Sequence, residues 1–326
     1  MVAKLTDVAE LAGVSATTVS RVINHKGYLS SNTIEKVNAS MRELNYQPNN
    51  IARSLQGKST HLVGLIFPTL DSIFFAELTN LLERELFAHG YKTIICNSQG
   101  DPKKERDYLQ MLGANQVEGI ISSSHNLNHA DYARASAPII GFDRYFAPNI
   151  PIVSSDNFSG GQLAARELLK HPIHDLVMLT GNDDPASPTH RRVEGFKDIL
   201  AHKNIQPRII SLAQSTTPTL KLGAIKALLR QTPPEGIFCS DDMTALMVMN
   251  VARGLGISIP GDLYLVGYDG VSFIRDYIPQ LTTIQQPLPD LAKLSVSLLE
   301  RRIKDPSEQL SDHYELPVKV ISGESC

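Results

Sequence analysis

The chain has 326 residues, a formal net charge of −3 and three cysteines. No stretch approaches the ~20 apolar residues of a membrane helix, and the N-terminus lacks the apolar core of a signal peptide. Cys96, Cys239 and Cys326 are odd in number and lack CxxC spacing, which favours the reducing cytoplasm over a disulfide framework. The length allows two ordinary domains, or one small and one large.

The charge is unevenly divided along the chain. Residues 1–60 hold seven Lys and Arg against four Asp and Glu, a balance of +3, which leaves 24 basic and 30 acidic residues, or −6, for the remainder. A small basic end on an acidic body is the asymmetry expected when one end of a protein meets the phosphates of double-stranded DNA.

The segment 5–24 predicts two short helices joined by a tight turn. Thr6 or Asp7 can cap the first helix, and Ser15 can cap the second. Gly13 ends the first helix because glycine adopts a left-handed conformation without steric penalty. Helical spacing predicts that the buried faces carry Val8, Leu11, Ala12, Val19, Val22 and Ile23.

The opposite face of the second helix suits insertion into a DNA major groove. Its side chains are small or hydrogen-bonding, with one arginine. They are Ala16, Thr17, Ser20, Arg21 and Asn24.

A third helix and a linker complete this N-terminal part. We predict the helix over about 31–44, packed on the first two through Ile34, Val37, Met41 and Leu44. Pro48 then ends regular structure. Residues 50–56 form a helical stretch too short to be stable alone in water, and a flexible joint follows.

From residue 61 onward, short apolar strands alternate with amphipathic helices. Uniformly apolar strands between helices predict parallel sheets covered on both faces. This alternation of strands and helices occurs twice, which indicates two doubly wound α/β subdomains with a cleft where the carboxyl ends of the strands meet. The predicted strands are 62–67, 92–96, 119–121 and 138–142, then 176–179, 209–210, 236–239 and 264–267.

The N-terminal segment resembles the headpiece of the lactose/galactose repressor family of bacterial transcription regulators. Asp7-Val8-Ala9, Gly13-Val14-Ser15 and the stretch 18–24 carry the resemblance, which continues through 44–49 and 52–55. Within the family, 27–30 and 52–59 most resemble sucrose-operon repressors of Gram-positive bacteria.

The resemblance implies a small all-α helix-turn-helix headpiece and an α/β core of periplasmic-binding-protein architecture, made of two doubly wound parallel-sheet subdomains. The headpiece would span 1–48, the hinge helix and linker 49–60, and the effector-binding and dimerisation core 61–326. The chain would cross between lobes near Asp156, Gln285 and a final strand over 316–321. The first lobe would comprise about 61–156 and 287–314, and the second about 157–284 and 315–326.

The resemblance also implies which headpiece residues contact DNA. Ala16, Thr17 and Arg21 would contact bases, where arginine can donate two hydrogen bonds to guanine. Phosphate contacts would come from Thr18, Ser20 and Asn24, and Thr6 belongs to the same DNA-binding set. The alternative is a polar helix face without a partner.

Ala52 and Leu55 would lie on the hinge helix. In the family, paired hinge helices enter the minor groove, and a leucine wedges between base pairs and bends the DNA. A buried linker leucine is the alternative. The stretch 52–59 also loosely fits a phosphate loop, but Pro48 precedes it and a strand follows it, which is the reverse of the required order.

Several positions resemble the sugar-contacting residues of the family. A carboxylate beside a guanidinium supplies paired acceptors and donors for adjacent hydroxyls, although a strand-end aspartate alone is often a helix cap. Ser240 stands where many members carry asparagine, which leaves the ligand open, and Arg144, Arg192 and His125 could receive a sugar phosphate as well as a sugar. The candidate effector residues are Asp71, Phe74, Phe75, Ser123, Asp143, Arg144, Arg192, Ser240, Asp269 and Gln286.

These features predict a cytoplasmic, homodimeric, sugar-responsive transcriptional repressor that binds a pseudo-palindromic operator. Sucrose, its 6-phosphate or fructose is the expected effector, and a corepressor-dependent regulator whose ligand or partner protein strengthens DNA binding is the alternative. A sugar-scavenging binding protein and a sugar-acting enzyme are the other classes weighed. No catalytic motif is evident, no cofactor is expected, and His125 and His129 lack a third metal ligand.

Overall fold

The chain divides into two units, Met1–Thr60 and His61–Cys326. The computed structural model describes residues 3–24, 26–46, 59–124, 126–181, 187–213 and 216–326. The predicted hinge helix with Ala52 and Leu55 lies outside the described residues, as does His125.

The headpiece contains three helices, α1 (Leu5–Ala12), α2 (Ala16–Ile23) and α3 (Ser31–Glu43). Val8, Val19 and Val37, one from each helix, are fully buried and form the centre of its small core. The predicted helix-turn-helix and third helix are therefore present.

Local signals set the ends of the first two helices. Gly13 has φ of 65° and ends α1, and the Ser15 hydroxyl accepts a hydrogen bond from the Thr18 backbone N–H at 3.1 Å at the start of α2. The predicted cap of α1 was wrong: the helix begins at Leu5, and Lys4 occupies the N-cap position. Asp7 instead lies inside the first turn, where its carboxylate accepts from the Lys4 N–H at 2.8 Å.

Two predicted core residues of the headpiece lie at its surface. Leu11 is 45% exposed and Ile34 is 38% exposed. Because α1 packs against both α2 and α3, its buried stripe runs through Val8, Ala9 and Ala12 and leaves Leu11 on the flank.

The first lobe of the core is a six-stranded sheet in the order β2-β1-β3-β4-β5-β11, with all neighbouring strands parallel. β1 and β4 are almost wholly buried and apolar, as expected for a sheet covered by helices on both faces. The strands are β1 (Leu62–Phe67), β2 (Lys92–Asn97), β3 (Gly119–Ser122), β4 (Ile139–Phe142), β5 (Ile152–Ser155) and β11 (His313–Leu316).

The second lobe repeats this arrangement in the order β7-β6-β8-β9-β10-β12, and only β12 runs antiparallel to its neighbour. The repeat confirms the predicted pair of doubly wound sheets. The strands are β6 (Leu176–Thr180), β7 (Arg208–Ser211), β8 (Gly236–Cys239), β9 (Tyr264–Asp269), β10 (Thr282–Gln285) and β12 (Lys319–Ile321).

Helices connect most consecutive strands and cover the sheets, whereas residues 143–151 join β4 to β5 without a helix. They are α4 (Ile73–Ala88), α5 (Pro102–Ala114), α6 (His129–Ala133), α7 (Asn157–Leu168), α8 (Arg191–Ala201), α9 (Pro218–Gln231), α10 (Asp242–Leu255), α11 (Ser272–Tyr277) and α12 (Leu288–Lys304).

The chain passes between the lobes three times. It leaves the first sheet after β5, where Asp156 caps α7, and returns through α12, which follows β10. The predicted final strand over 316–321 is instead two short strands: β11 pairs with β5, and β12 pairs with β10. Only residues 317–318 separate them, so this third crossing is nearly direct.

Within the ranges that the structure describes, no helix is long and apolar enough to cross a bilayer. The same residues contain no group of three His, Cys, Asp or Glu side chains that could hold a metal ion.

Candidate functional site

The outward face of α2 presents a short run of polar side chains. Thr17 and Arg21 are exposed, and Ala16 is partly buried against the headpiece core. Arg21 Nε donates a 3.4 Å hydrogen bond to the Lys26 carbonyl, and its guanidinium occupies the space that a Cβ at Gly27 would need. Arg21 therefore folds back over the following turn and must extend in order to reach a base.

The three predicted phosphate contacts and Thr6 all make hydrogen bonds within the headpiece. Asn24 Nδ2 donates to the Ser20 carbonyl at 2.5 Å and lies 3.2 Å from the Ser20 hydroxyl. The Thr18 hydroxyl lies 2.9 Å from that of Ser15, and Thr6 donates to Asp7 at 3.3 Å. Thr6 would exchange its bond to Asp7 for a phosphate contact, whereas the Ser20 hydroxyl accepts from Asn24 and can still donate its own proton.

Tyr28 is a headpiece residue that sequence analysis did not place in the DNA-binding set. It is 94% exposed and follows α2 in the turn that leads to α3. An aromatic residue within the turn 27–30 is the sequence feature that could have drawn attention to it.

Arg192 is the centre of a buried polar group in the core. It lies on the first turn of α8 and is 5% exposed. Its Nη2 lies 3.6 Å from Oδ2 of Asp143, which follows β4 of the first sheet. Its Nη1 lies 4.0 Å from Oδ1 of Asp269, which ends β9 of the second sheet. Residues of both lobes therefore meet at one guanidinium.

Two further side chains hold Arg192. Its Nε donates to Asn157 Oδ1 at 2.7 Å, and Asn157 Nδ2 donates to Asp143 Oδ1 at 2.9 Å. The guanidinium carbon lies 3.7 Å from the centre of the Tyr268 ring, a cation–π contact. NH1 donates to the Ser240 carbonyl at 2.7 Å. Several directed bonds therefore fix the guanidinium plane.

Gln286 also connects the two lobes, through a bond to Asp269. Its Nε2 donates to Asp269 Oδ1 at 2.8 Å, and its Oε1 accepts from the Ser155 hydroxyl of β5 at 2.7 Å. Gln286 is 2% exposed. A single side chain therefore connects the carboxylate of one sheet to a strand end of the other.

Arg144 makes a second connection between the lobes. Its NH1 donates to the Asp143 carbonyl at 2.7 Å, and it lies 3.2 Å from both the Ser187 and the Thr189 hydroxyls, which belong to the second lobe. The candidate cleft is thus lined by two arginines, two carboxylates and several hydroxyls, which together offer donors and acceptors for a polyhydroxylated ligand.

Both aspartates of this group have strained backbones. Asp143 has φ of 52° and Asp269 has φ of 113°, values that side-chain-bearing residues rarely adopt. Such strain persists only where the surroundings impose it, and it is concentrated at functional sites. Here it directs both carboxylates toward Arg192.

Burial and charge act in opposite directions on the pKa values of this group. Burial alone would lower the pKa of Arg192, but Tyr268, Asp143 and Asp269 together raise it, so the guanidinium stays charged. Burial raises the pKa of Asp269 well above its usual range, and Arg192 opposes the shift. Burial prevails for Asp269 because its Arg192 contact is long, at 4.0 Å.

Five of the predicted effector residues, Asp143, Arg144, Arg192, Asp269 and Gln286, are brought together in this group. Ser240 contributes its carbonyl to Arg192, while its hydroxyl accepts from the Gly181 N–H at 3.3 Å. Ser123 is buried at the end of β3 and Asp71 is exposed; neither contacts Arg192.

Phe74 and Phe75 are both 8% exposed and form part of the first lobe's core. Phe74 lies 6.3 Å, ring centre to ring centre, from Phe142, the residue before Asp143. The Phe74 ring therefore contacts the residue that precedes Asp143, but only a small part of the ring is exposed to a ligand.

Sequence analysis missed Asn157, Ser155, Tyr268, Ser187 and Thr189. The first two could have been found, because the unpredicted strand β5 ends beside the predicted crossing at Asp156. Tyr268 lies one residue beyond the predicted strand 264–267, and no functional role was predicted for it. Ser187 and Thr189 lie in an irregular segment without a periodic signal.

Comparison with known proteins finds relatives that match the whole chain. Over 325 residues the chain is 57% identical to the sucrose operon repressor of Streptococcus mutans serotype c, covering 100% of both chains. It is 54% identical over 320 residues to the sucrose operon repressor of Pediococcus pentosaceus, covering 98% of each. A family model described as bacterial regulatory proteins, lacI family, matches residues 4–49.

The chain belongs to the lacI family of bacterial regulatory proteins. A second model, the periplasmic binding protein-like domain, matches residues 165–326 of this lacI-family chain. The resemblance inferred from the sequence, including that to sucrose-operon repressors, is confirmed. As a member of the family, the chain is a transcription regulator rather than an enzyme.

Solved structures confirm the fold class. The lac repressor dimer bound to operator and the anti-inducer ONPF is 25% identical, with a TM-score of 0.84, covering 100% of this lacI-family chain and 99% of that chain. A periplasmic binding protein/LacI regulator from Alkaliphilus metalliredigens, complexed with D-xylulofuranose, is 28% identical with a TM-score of 0.72; the match covers 81% of this chain and 98% of that one.

Proposed function

We propose that this lacI-family chain is a transcriptional repressor of a sucrose-utilisation operon, and that a sugar or sugar phosphate releases it from its operator. The observation that carries the proposal is the end-to-end match to sucrose operon repressors at 57% and 54% identity. The buried, two-lobed polar group around Arg192 supports it, because a ligand bound there contacts both lobes at once.

The DNA-contacting residues are those of the exposed face of α2 and its surroundings. Thr17 and Arg21 contact base edges in the major groove, with Ala16 making apolar contact. The set that positions the headpiece on the backbone is Thr6, Thr18, Ser20 and Asn24. Ala52 and Leu55 of the hinge segment enter the minor groove.

The effector lies between the lobes at Asp143, Arg144, Arg192, Asp269 and Gln286. The Arg192 guanidinium already has the carboxylates of Asp143 and Asp269 at 3.6 and 4.0 Å, and these offset much of its positive charge. The site therefore suits the hydroxyls of a neutral sugar as well as an anionic sugar phosphate. The proposed ligands are sucrose, sucrose 6-phosphate and fructose. Binding favours one arrangement of the lobes over the other and thereby withdraws support from the hinge helices.

A homodimer forms through apolar surface on the core. Ile95 on the edge strand β2 is 45% exposed, Phe87 of α4 is 67% exposed, and Phe273 and Tyr277 of α11 are 46% and 70% exposed. These elements adjoin one another, since α4 packs on β2 and its Glu77 bonds Ser272 of α11. Two headpieces then bind a pseudo-palindromic site, because a single one buries little surface. The DNA target places this dimer in the bacterial cytoplasm.

Fluorescence anisotropy of a labelled palindromic operator, at fixed salt, tests the proposal. The full-length protein is titrated onto the DNA, and sucrose, sucrose 6-phosphate, fructose and fructose 1-phosphate are then added in turn. Loss of binding with one sugar supports an inducible repressor and identifies the effector. Tighter binding would make the chain a corepressor-dependent regulator, and no response to any sugar would remove the effector assignment.

A further inference from the structure

A buried carboxylate, Asp242, lies directly behind the cleft. It is the first residue of α10 and is 0% exposed. It is not needed as the helix cap, because the preceding Asp241 accepts from the Thr244 N–H at 2.7 Å and from its hydroxyl at 2.9 Å. Of these two consecutive aspartates, only Asp241 is a cap.

The Asp242 carboxylate bonds two neighbouring elements instead. Oδ2 accepts from the Gly270 backbone N–H at 2.8 Å, and Oδ1 accepts from the Thr283 hydroxyl of β10 at 2.6 Å. Thr283 is 0% exposed, so neither bond can be replaced by surface water. The carboxylate therefore ties the start of α10 to the end of β9 and to β10.

The peptide that Asp242 holds is the one that follows Asp269. Asp269 has φ of 113°, a conformation that needs outside support, and Gly270 follows it with φ of 57°, which glycine adopts without steric penalty. Gly267, two residues earlier, has no side chain, and a Cβ there would overlap Asp242 Oδ1. The approach of the carboxylate to this strand end thus depends on a glycine.

Keeping a carboxylate at this depth is unfavourable in itself. Burial raises the pKa of Asp242 to about 7, while the bonds from Thr283 and Gly270 act against the shift and Asp241 adds to it. A group that is costly to bury and bonded to the backbone beside a ligand-facing side chain is typical of a residue that supports a site.

We propose that Asp242 is a positioning residue of the effector cleft, which holds the Asp269 carboxylate toward Gln286, Arg192 and the sugar through the Gly270 peptide and the Thr283 hydroxyl. The inference rests on the proposed function, since it takes this cleft to be the sugar site. It adds to the site a residue that does not touch the ligand.

Three variants of the full-length protein separate positioning from general stability. Asp242→Ala leaves the Gly270 N–H and the Thr283 hydroxyl without their partner. Asp242→Asn keeps an acceptor for Gly270 and can donate to Thr283 instead. Glu235→Ala is the control, because the exposed Glu235 carboxylate also accepts from two backbone N–H groups, those of His174 and Asp175 at 2.6 and 2.9 Å, at the opposite end of the strands of the same sheet.

Amide hydrogen exchange of the segment 268–271 is measured first, without sugar. We expect Gly270 to exchange at least about tenfold faster in Asp242→Ala than in the wild type, and at close to the wild-type rate in Asp242→Asn and Glu235→Ala. Unchanged exchange in Asp242→Ala would overturn the inference whatever the ligand proves to be.

Isothermal titration with sucrose, sucrose 6-phosphate, fructose and fructose 1-phosphate is the second readout. For the sugar that binds the wild type, we expect Asp242→Ala to lose about tenfold in affinity and Asp242→Asn to stay within about threefold. An equal loss of sugar affinity in Glu235→Ala would overturn the inference, because the loss would then follow from general destabilisation of the core. If none of the four sugars binds the wild type, the proposed effector is wrong, and the exchange rates alone decide the role of Asp242.

Discussion

The headpiece and the cleft differ in how their functional residues are held. The candidate DNA-contacting residues on and next to α2 fall within 16–24, are exposed or partly buried, and make their hydrogen bonds to residues nearby in the chain. The cleft residues are spread from 143 to 286, and all of its five central members are at most 7% exposed. One surface is local and free to adapt, whereas the other is buried and assembled from both lobes.

This difference determines how each region should respond to mutation. A side chain on the face of α2 can be removed without leaving a buried partner unsatisfied, so the effect falls on DNA binding alone. In the cleft, every polar side chain is the partner of another, and truncation leaves a buried donor or acceptor unpaired. Cleft variants should therefore change stability and ligand binding together.

The largest effect is expected for Arg192→Ala. The substitution leaves Asp143, Asp269 and Asn157 without their shared donor in a buried site, which should lower the free energy of unfolding of the core by about 3–5 kcal/mol. Chemical denaturation of the full chain measures it. Arg191→Ala is the control: its ion pair with Glu315 is at the surface, and its loss should cost about 0–1 kcal/mol. Equal losses in the two variants would contradict the central role of Arg192.

Asp242→Asn should change the pH dependence of core stability. The Asp242 carboxyl has an ordinary pKa of 3.8 and a folded-state pKa of about 7, so between these values the folded protein binds a proton that the unfolded chain has lost. Stability of the wild type therefore falls as pH rises through this window and levels off above it. The Tm of Asp242→Asn minus the Tm of the wild type should therefore increase from about pH 4 to about pH 7.

Asp269 titrates in the same direction, because burial also raises its pKa, so the variant should retain part of the slope. Thermal unfolding of both proteins at closely spaced pH values measures the difference. A Tm difference that is constant across the window would show that the Asp242 proton is not linked to folding.

Arg21→Ala should affect DNA binding without affecting stability. We expect operator affinity to fall by about 10–100-fold, the equivalent of one lost bidentate base contact, while binding to unrelated DNA falls much less. Arg42→Ala is a matched control, since Arg42 Nε also donates a 3.4 Å bond to a backbone carbonyl, that of Asn38, but from α3. An equal loss of operator preference in both variants would indicate that Arg21 contacts phosphate rather than a base.

The smallest effect is expected at the helix caps. Ser15 and Ser30 accept from the backbone N–H groups of Thr18 and Thr33 at 3.1 and 3.2 Å. Replacing either serine with alanine should destabilise the headpiece by about 1 kcal/mol, as measured by amide exchange in α2 and α3. Only Ser15→Ala should also weaken operator binding, because Ser15 begins the helix that enters the groove; a comparable weakening by Ser30→Ala would contradict that orientation.

Most of the fold could be predicted from local signals. Gly13 and Ser15 mark helix ends through their own chemistry, and the eight predicted strands lie within two residues of their observed ends, although β5 and β10 were not predicted. The failures arose from packing: Leu11 satisfies the helical spacing but lies outside the stripe that contacts both neighbouring helices. The short pair β11 and β12 has no periodic signal, and its division between two sheets is fixed only by tertiary pairing.

Most of the predicted cleft residues follow a strand, whereas Arg192, on the first turn of α8, was predicted from the family resemblance. Asp143, Asp269 and Gln286 each come directly after or at the end of an apolar strand, so their meeting at one edge follows from parallel topology. Asn157 and Asp242 have no such mark, since each is the first residue of a helix. Their roles depend on which way the side chain turns, and that is set by residues up to 41 positions away, such as Thr283.

The most direct test of the account compares operator binding by the wild type and Gln286→Ala, with and without the sugar that binds the wild type. Gln286 connects Asp269 to Ser155 across the lobes and lies far from the DNA-contacting residues in sequence. We predict equal operator affinity for both proteins without sugar, and release of the wild type but not of the variant at saturating sugar. Equal release of both, or loss of operator binding by the variant alone without sugar, would contradict the proposal that the cleft senses the sugar while the headpiece binds the DNA.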